Sequence, residues 1–396
     1  MSTVAQIVEW LSRTYPPRLA ESWDAVGLVA GRPAAPVHRI LVTVDVTQAV
    51  AGQAVAGGYD LIVAHHPLLL GGVTSVAATS AKGRILHDLI EANCALLTAH
   101  TNADAAREGV SDALAASLGL AETAPLETSP AIALDHLHVY VPESDAALML
   151  DALAEAGAGA IGNYDRCAFL APGVGTFRPL PGAAPAIGTV GEVQTVDEVR
   201  LEVVLARAAR DAVITAMRRA HPYEEPAFGV VELANVPAGE GIGRVGRLTS
   251  PMSLSDFAER VAAAVPTSAG GIRVAGELAR TVQTVAVCGG SGDSLLADAN
   301  RAGADVFVTA DLKHHRVLDH IEDGGCAVID VAHWASEALW CDVVADLLRG
   351  HFGTAPDTLA VDVSRLVTDP WRLHLGTGHS DLDDLIDPAP DGGSLK

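Results

Sequence analysis

The sequence predicts an α/β protein: a discontinuous α/β core assembled from both ends of the chain, carrying an inserted α+β domain of ferredoxin-like type. Three observations support this. Strand and helix patterns alternate before residue 120 and again after residue 250, as the crossovers of a mostly parallel sheet require. Between them, two strand–helix–strand passes fall within about 100 residues. The length, 396 residues, exceeds what one hydrophobic core normally organises. The expected units are 1–125 and 240–373 for the two halves of the core, 133–235 for the insert, and 378–396 for a disordered acidic tail rich in Asp, Gly and Pro.

Each element rests on its own pattern. Thr3 to Thr14 has the apolar spacing of an amphipathic helix, whereas Arg39 to Asp45, Asp60 to Ala64 and Cys94 to His100 are apolar runs of strand length. Lys82 to Glu91 and Val110 to Leu118 return to helical spacing. The rhythm stops at Ala121 to Pro130, where two prolines and several polar residues read as a linker. In the insert, strands are expected at His136 to Val141, Val199 to Leu205 and Phe228 to Leu233, with helices at Ala146 to Ala156 and Asp211 to Ala220. Val236 to Gly243 reads as a second flexible joint. Beyond it come helices at Ser255 to Ala264, Ser294 to Ala302 and Ser336 to Leu348, and strands at Val285 to Cys288, Asp305 to Thr309 and Ala327 to Val331.

Composition narrows the function. A net charge of −23 with only 26 Lys plus Arg disfavours nucleic acid and anionic membranes as partners, and suits divalent cations better. No apolar run reaches the roughly 18 residues of a membrane span, and the N-terminus lacks the basic flank and apolar stretch of a secretory signal. A cytoplasmic location is expected. Five scattered cysteines with no CxxC pair fit reduced, mostly buried thiols.

The chemistry is concentrated at strand ends. Leu61 to Ala64 runs into His65-His66, Leu96 to Ala99 into His100 and Asp104, Val306 to Thr309 toward Asp311, and Val328 to Val331 toward His333. In one parallel sheet those carboxyl ends would share an edge, where open α/β folds keep their sites. His333 and Glu337, spaced i, i+4, fall on one face of a helix. Together His65, His66, Asp104, His333 and Glu337 supply enough N and O donors for two divalent ions, and such donors suit Zn, Fe, Mn, Co or Ni alike. His100 alone reads as a hydrogen-bonded core histidine, and Asp311, His314, His315 and His320 read as surface or supporting groups. Gly289-Gly290-Ser291-Gly292, between a strand and a helix, reads equally as an anion-binding loop or as a tight turn. Gly162-Asn163-Tyr164-Asp165 and His221-Pro222-Tyr223-Glu224-Glu225 read as turn and packing clusters that could also line a pocket. The chain has no GxSxG, so a covalent serine mechanism is not expected.

Five motifs in order, Trp23-Asp24-Ala25-Val26-Gly27-Leu28, Ala64-His65-His66-Pro67, His100 to Ala106, Gly289 to Gly292, and His333 with Glu337, resemble the Nif-three-like family, also called GTP cyclohydrolase 1 type 2 homologues. The resemblance extends from about residue 3 to about residue 373 and includes the insert. Ala25, Ala103 and Ala310 depart from the family's usual Asn, Leu and Gly without touching a candidate ligand. The resemblance implies a two-metal site at His65, His66, Asp104, His333 and Glu337, a homohexamer, and an insert similar to PII-like or CutA-like modules. The expected activity is metal-dependent hydrolysis of a nucleotide-like or phosphorylated small molecule. The alternative is a non-catalytic, metal-binding or metabolite-sensing regulator.

Overall fold

Strands buried on both faces organise the core. The computed structural model describes residues 2–129, 132–162, 164–234, 239–353 and 359–375. The chain forms two compact units, Met1–Ser129 with Gly239–Lys396, and Pro130–Ala238. The expected tail at 378–396, and 236–238 of the expected joint, lie outside the described residues.

Among the described residues the first unit holds two large sheets where one was expected, besides a short two-stranded pair of Ser2–Thr3 with Pro36–Val37. The five-stranded sheet has the order Ala360–Val363, Arg39–Thr43, Leu61–Ala64, Ala95–Thr98, Gly27–Ala30. Its first four strands are parallel and the last is antiparallel. The six-stranded sheet has the order Ile272–Ala275, Ala327–Val331, Val306–Ala310, Thr281–Ser291, Gly241–Ser253, Ala121–Thr128. Its central three strands are parallel, and antiparallel strands flank them. The helix His333–Phe352 serves both sheets: Trp340, Val344 and Leu348 join the core beneath the first, and Leu339 also packs against the core of the second. Leu61–Ala64, Ala95–Thr98 and Val306–Ala310 are buried throughout, which is why they read as unbroken apolar runs.

The linker expected at Ala121 to Pro130 is mostly a strand, Ala121–Thr128. It is the edge of its sheet and largely exposed, so no apolar alternation marks it, and an edge tolerates Pro125. The second joint likewise runs into the long strand Gly241–Ser253, where a Cβ at Gly241 would collide with the Glu127 carbonyl. Arg244 anchors this strand. Its buried guanidinium donates to both carboxylate oxygens of Asp112 (2.6 and 2.8 Å) and to the carbonyls of Gly241, Gly243 and Ala106.

The second unit is a four-stranded antiparallel sheet of order Phe228–Glu232, Leu134–Pro142, Gln194–Ala206, Ala168–Phe177, with helices Ala146–Glu155 and Arg210–Ala220. The connectivity β–α–β–β–α–β is ferredoxin-like. Leu137, Val139, Val141, Val199, Leu201, Val203 and Leu205 form the core with Met149, Leu153, Val213 and Met217 from the helices. The strand Ala168–Phe177 escaped the sequence reading because it is a largely exposed edge.

Candidate metal centre

Four histidines and two carboxylates meet where the two sheets of the first unit face each other. The ladder of the five-stranded sheet continues past Ala64, since His65 N–H donates to Thr43 O (3.0 Å) and His66 N–H to Val44 O (2.9 Å). Both imidazoles are thereby set on regular backbone. Asp104 comes from the short helix Thr101–Ala105 after the next strand. His333 opens the helix His333–Phe352, which follows a strand of the other sheet, and Glu337 lies one turn further along. The convergence expected on one edge of one sheet is therefore a confrontation between two sheets. Periodicity identifies a strand but not its neighbours.

Glu337 is the hub. Its Oε1 lies 2.9 Å from His333 Nε2 and 3.5 Å from His65 Nε2, and its Oε2 lies 3.1 Å from His66 Nε2. Asp104 Oδ1 lies 3.7 Å from His65 Nε2. His66 and His333 approach to 3.3 Å between their Nε2 atoms.

Each histidine is held from behind through Nδ1. His65 bonds Ala99 O (2.9 Å), His66 bonds Asp45 Oδ1 (2.8 Å), His100 bonds Asp24 Oδ1 (2.8 Å) and His333 bonds Asp311 Oδ2 (2.7 Å). All four partners are acceptors, so Nδ1 carries the proton and a neutral ring turns the Nε2 lone pair inward. Metal-ligating histidines are oriented in this way. The acidic partners are themselves fixed: Thr101 donates to Asp24, and Thr368 to Asp45.

The donor set fits cations. His65 Nε2, Asp104 Oδ1 and Glu337 Oε2 are buried without a hydrogen-bond partner, each at a cost of about 1–3 kcal/mol if nothing fills the gap. Ligand atoms about 2.1 Å from a tetrahedral cation stand about 3.4 Å apart, and the separations around Glu337 bracket that value. Among the described residues, His65, His66 and His100 form one group that could hold an ion, and His66, His333 and Glu337 a second.

The electrostatics of the metal-free chain follow from crowding. Burial drives the Asp104 carboxyl up to about 6. Burial alone would lower the histidines, but Glu337 and Asp45 raise His66 to about 10, and Glu337 and Asp311 raise His333 to about 9. Burial opposes ionisation of Glu337, yet the surrounding imidazoles hold it well below the usual carboxylate range. His100 is lowered by burial and by His65. Without a cation, the cluster traps protons.

The structure brings together His65, His66, Asp104, His333 and Glu337. His100, set aside in the sequence, stands with them and is tethered like them. Asp311 is a supporting group, whereas His314 and His315 are exposed and His320 is a core residue bonded to Cys326 O (2.9 Å). Asp24 and Asp45 were missed as acceptors, although Asp45 ends an expected strand as the histidines do. The glycine run differs from the expected loop, because Gly289, Gly290 and Ser291 complete the strand Thr281–Ser291. Gly290 N–H is already committed to Ser336 Oγ (2.8 Å) and is not free for an anion. Its glycine has another use: a Cβ there would fall 2.5 Å from Glu337 Oε1. A Cβ at Gly292 would likewise strike the Thr309 hydroxyl.

A cleft of about 640 Å³ adjoins the cluster, lined by His66, His333, Asp45, Asp311, Trp334 and Trp371 among others. His65 and Glu337 are sealed, while the His66 and His333 side chains remain 25% and 34% exposed, so the cluster opens on that side.

A family model described as Duf34/NIF3 (NGG1p interacting factor 3) matches residues 2–370. A Mycobacterium tuberculosis protein named GTP cyclohydrolase 1 type 2 homolog is 49% identical over 376 residues, covering 95% of this chain and 98% of the relative. Among solved structures, a Bacillus cereus protein related to NIF3 is 35% identical with a TM-score of 0.75, covering 94% of this chain and 99% of its own. A Staphylococcus aureus protein is 29% identical with a TM-score of 0.77 over the same shares.

Proposed function

The chain belongs to the Duf34/NIF3 family, and from that premise we propose that it binds two divalent cations and hydrolyses a nucleotide-like or phosphorylated small molecule. One ion would be held by His65, Asp104 and Glu337, the other by His66, His333 and Glu337, with Glu337 shared. The observation that carries this reading is the meeting of three inward Nε2 atoms at the buried Glu337 carboxylate, whose Oε2 has no hydrogen-bond partner. Such ions would supply Lewis acidity and a nucleophile from water at neutral pH.

The chain's own residues supply the rest. The acceptors behind the four rings fix the tautomers. His100, neutral at pH 7 because its pKa is depressed, can accept a proton at Nε2. The cleft beside His66 and His333 would admit a small substrate to ions held by those residues.

Protein purified without chelator should contain two ions per chain and turn over at least one member of a nucleotide and phosphoester panel. No turnover with any of the five candidate metals would exclude the hydrolase. The metabolite-sensing alternative is favoured by one observation, that Gly290 offers no free amide to a phosphate. It predicts binding without turnover.

Homohexameric assembly belongs to the same proposal. Support comes from Leu70, Val73 and Val76, exposed on the loop after the paired histidines, and light scattering at six chain masses would test it. No helix among the described residues is long and apolar enough to cross a membrane, and all five cysteines are free. Both fit the cytoplasmic location included in this reading.

A further inference from the structure

We propose that the inserted unit carries its own small-molecule site, and that its ligand is a zwitterion bearing an ammonium and a carboxylate on a large apolar or aromatic body, as a bulky amino acid does. The inference goes beyond the metal centre and does not depend on it. It rests on a cavity of about 730 Å³ lined entirely by residues of the insert.

The floor of the cavity is the sheet face away from the helices. On Gln194–Ala206, Val199, Leu201, Val203 and Leu205 point to the core, so the alternate residues Glu198 and Arg200 lie on the open face. Register places Gly173 opposite Glu198, and Ala171 and Tyr140 beside Arg200. Small residues on the neighbouring strand recess the floor. At Gly173 a Cβ would meet nothing within 4 Å, so the space above it is open. At Gly175 a Cβ would collide with the Glu198 carboxylate, which lies across the strand because glycine is there. The walls are aromatic, with Phe177 and Tyr223 rings 5.8 Å apart. Most of the remaining lining is Pro, Ala, Val and Ile, and a predominantly apolar cavity with a few convergent polar groups is the usual form of a ligand site.

The polar groups define the ligand. Among the described residues, Glu198 has no cationic partner, so a buried ammonium would complete it. Arg200 pairs with Glu202 through Nε (2.8 Å), and its fork has further N–H groups for a carboxylate. The Tyr223 hydroxyl is buried beside the Glu198 carboxylate. Burial, followed by the hydrogen bonding and charge of Glu198, pushes its pKa up to about 12, so it stays a donor at neutral pH. Arg178, Glu224 and Glu225 also line the cavity, but on its floor Glu198 stands two residues from the Arg200 fork, and a rigid zwitterion satisfies both. The ligand also gives a use to Tyr223 in the His221-Pro222-Tyr223-Glu224-Glu225 cluster, which the metal centre leaves unexplained.

Calorimetry on the full chain tests this with three probes: L-tryptophan, indole-3-propionate, which lacks the ammonium, and tryptamine, which lacks the carboxylate. Tryptophan should bind, and each analogue at least about tenfold more weakly, the loss expected for one unpaired charged group. Glu198→Gln should abolish the preference for tryptophan over indole-3-propionate, and Arg200→Gln its preference over tryptamine. Gly173→Leu is the plugging variant. It sits in extended strand with room for a side chain, so it should fold with an unchanged melting temperature and metal content, yet lose tryptophan binding. Absence of tryptophan binding to the wild type would overturn the proposal. So would a Gly173→Leu protein that binds tryptophan normally, or analogues that bind as well as tryptophan. Metal content and hydrolysis are read separately, so failure here would leave the metal-centre reading intact.

Discussion

Gly290→Ala tests the geometry around Glu337 without removing any ligand. Gly290 has φ +66°, and a Cβ there would stand 2.5 Å from Glu337 Oε1 and 3.3 Å from His333 Nε2. Real Cβ contacts do not fall under 3.0 Å, so the carboxylate must retreat by at least the difference, 0.5 Å. Metal ligands tolerate displacements of about 0.2 Å. If Glu337 is shared by two ions, both should weaken, by about 10–100-fold or more, the range seen even for supporting groups. The left-handed backbone adds a separate cost of about 1–2 kcal/mol to the stability of the metal-free protein. Gly303→Ala controls for that strain, since it has φ +70° with nothing near its Cβ and is remote from the cluster. The assay is chelator competition followed by metal analysis, with urea unfolding of the metal-free forms. Gly290→Ala should lose both affinity and stability, and Gly303→Ala stability alone. A Gly290→Ala protein holding two ions at wild-type affinity would refute the central role given to Glu337.

Asp45→Ala removes the acceptor behind His66 and should weaken metal binding by about 10–100-fold, and in the metal-free protein it should also lower the melting temperature because the His66 ion pair is lost; equal affinity in chelator competition would count against it. Arg244→Met strands Asp112 and three carbonyls, and should cost about 3–5 kcal/mol in urea unfolding; a loss under 1 kcal/mol, on the order of a surface change, would show the network to be unimportant. In the metal-free protein, His66 and His333 have pKa values raised to about 10 and about 9, above the ordinary value of about 6.5. Their ion pairs therefore contribute fully below pH 6.5 or so and fade as pH rises through about 9 to 10. Melting temperature without metal should fall across that window, and metal binding at pH 7 should release protons in calorimetry; a flat profile and no release would contradict the proton-trapping cluster.

How far the sequence revealed this site depended on burial. Leu61–Ala64 and Ala95–Thr98 were plain because both faces are covered, leaving runs in which a terminal histidine stands out. Ala121–Thr128 and Ala168–Phe177 were invisible because exposed edges carry no apolar alternation. Two sheets were read as one because strand patterns do not encode partners, so the ligands were gathered for an incomplete reason. His100 was set aside because a solitary histidine has no spacing partner, and only the Asp24 tether reveals its likeness to the others. Gly290 shows the reverse case: the glycine was noticed, but its close approach to Glu337 arises from a residue 47 positions away.

The most direct measurement is anomalous diffraction from crystals of metal-loaded protein, collected at the absorption edge of the bound metal. The account predicts two peaks flanking the Glu337 carboxylate, one bonded to His65 and Asp104 and the other to His66 and His333. A cluster without a peak, or a single ion leaving Glu337 unbound, would contradict it.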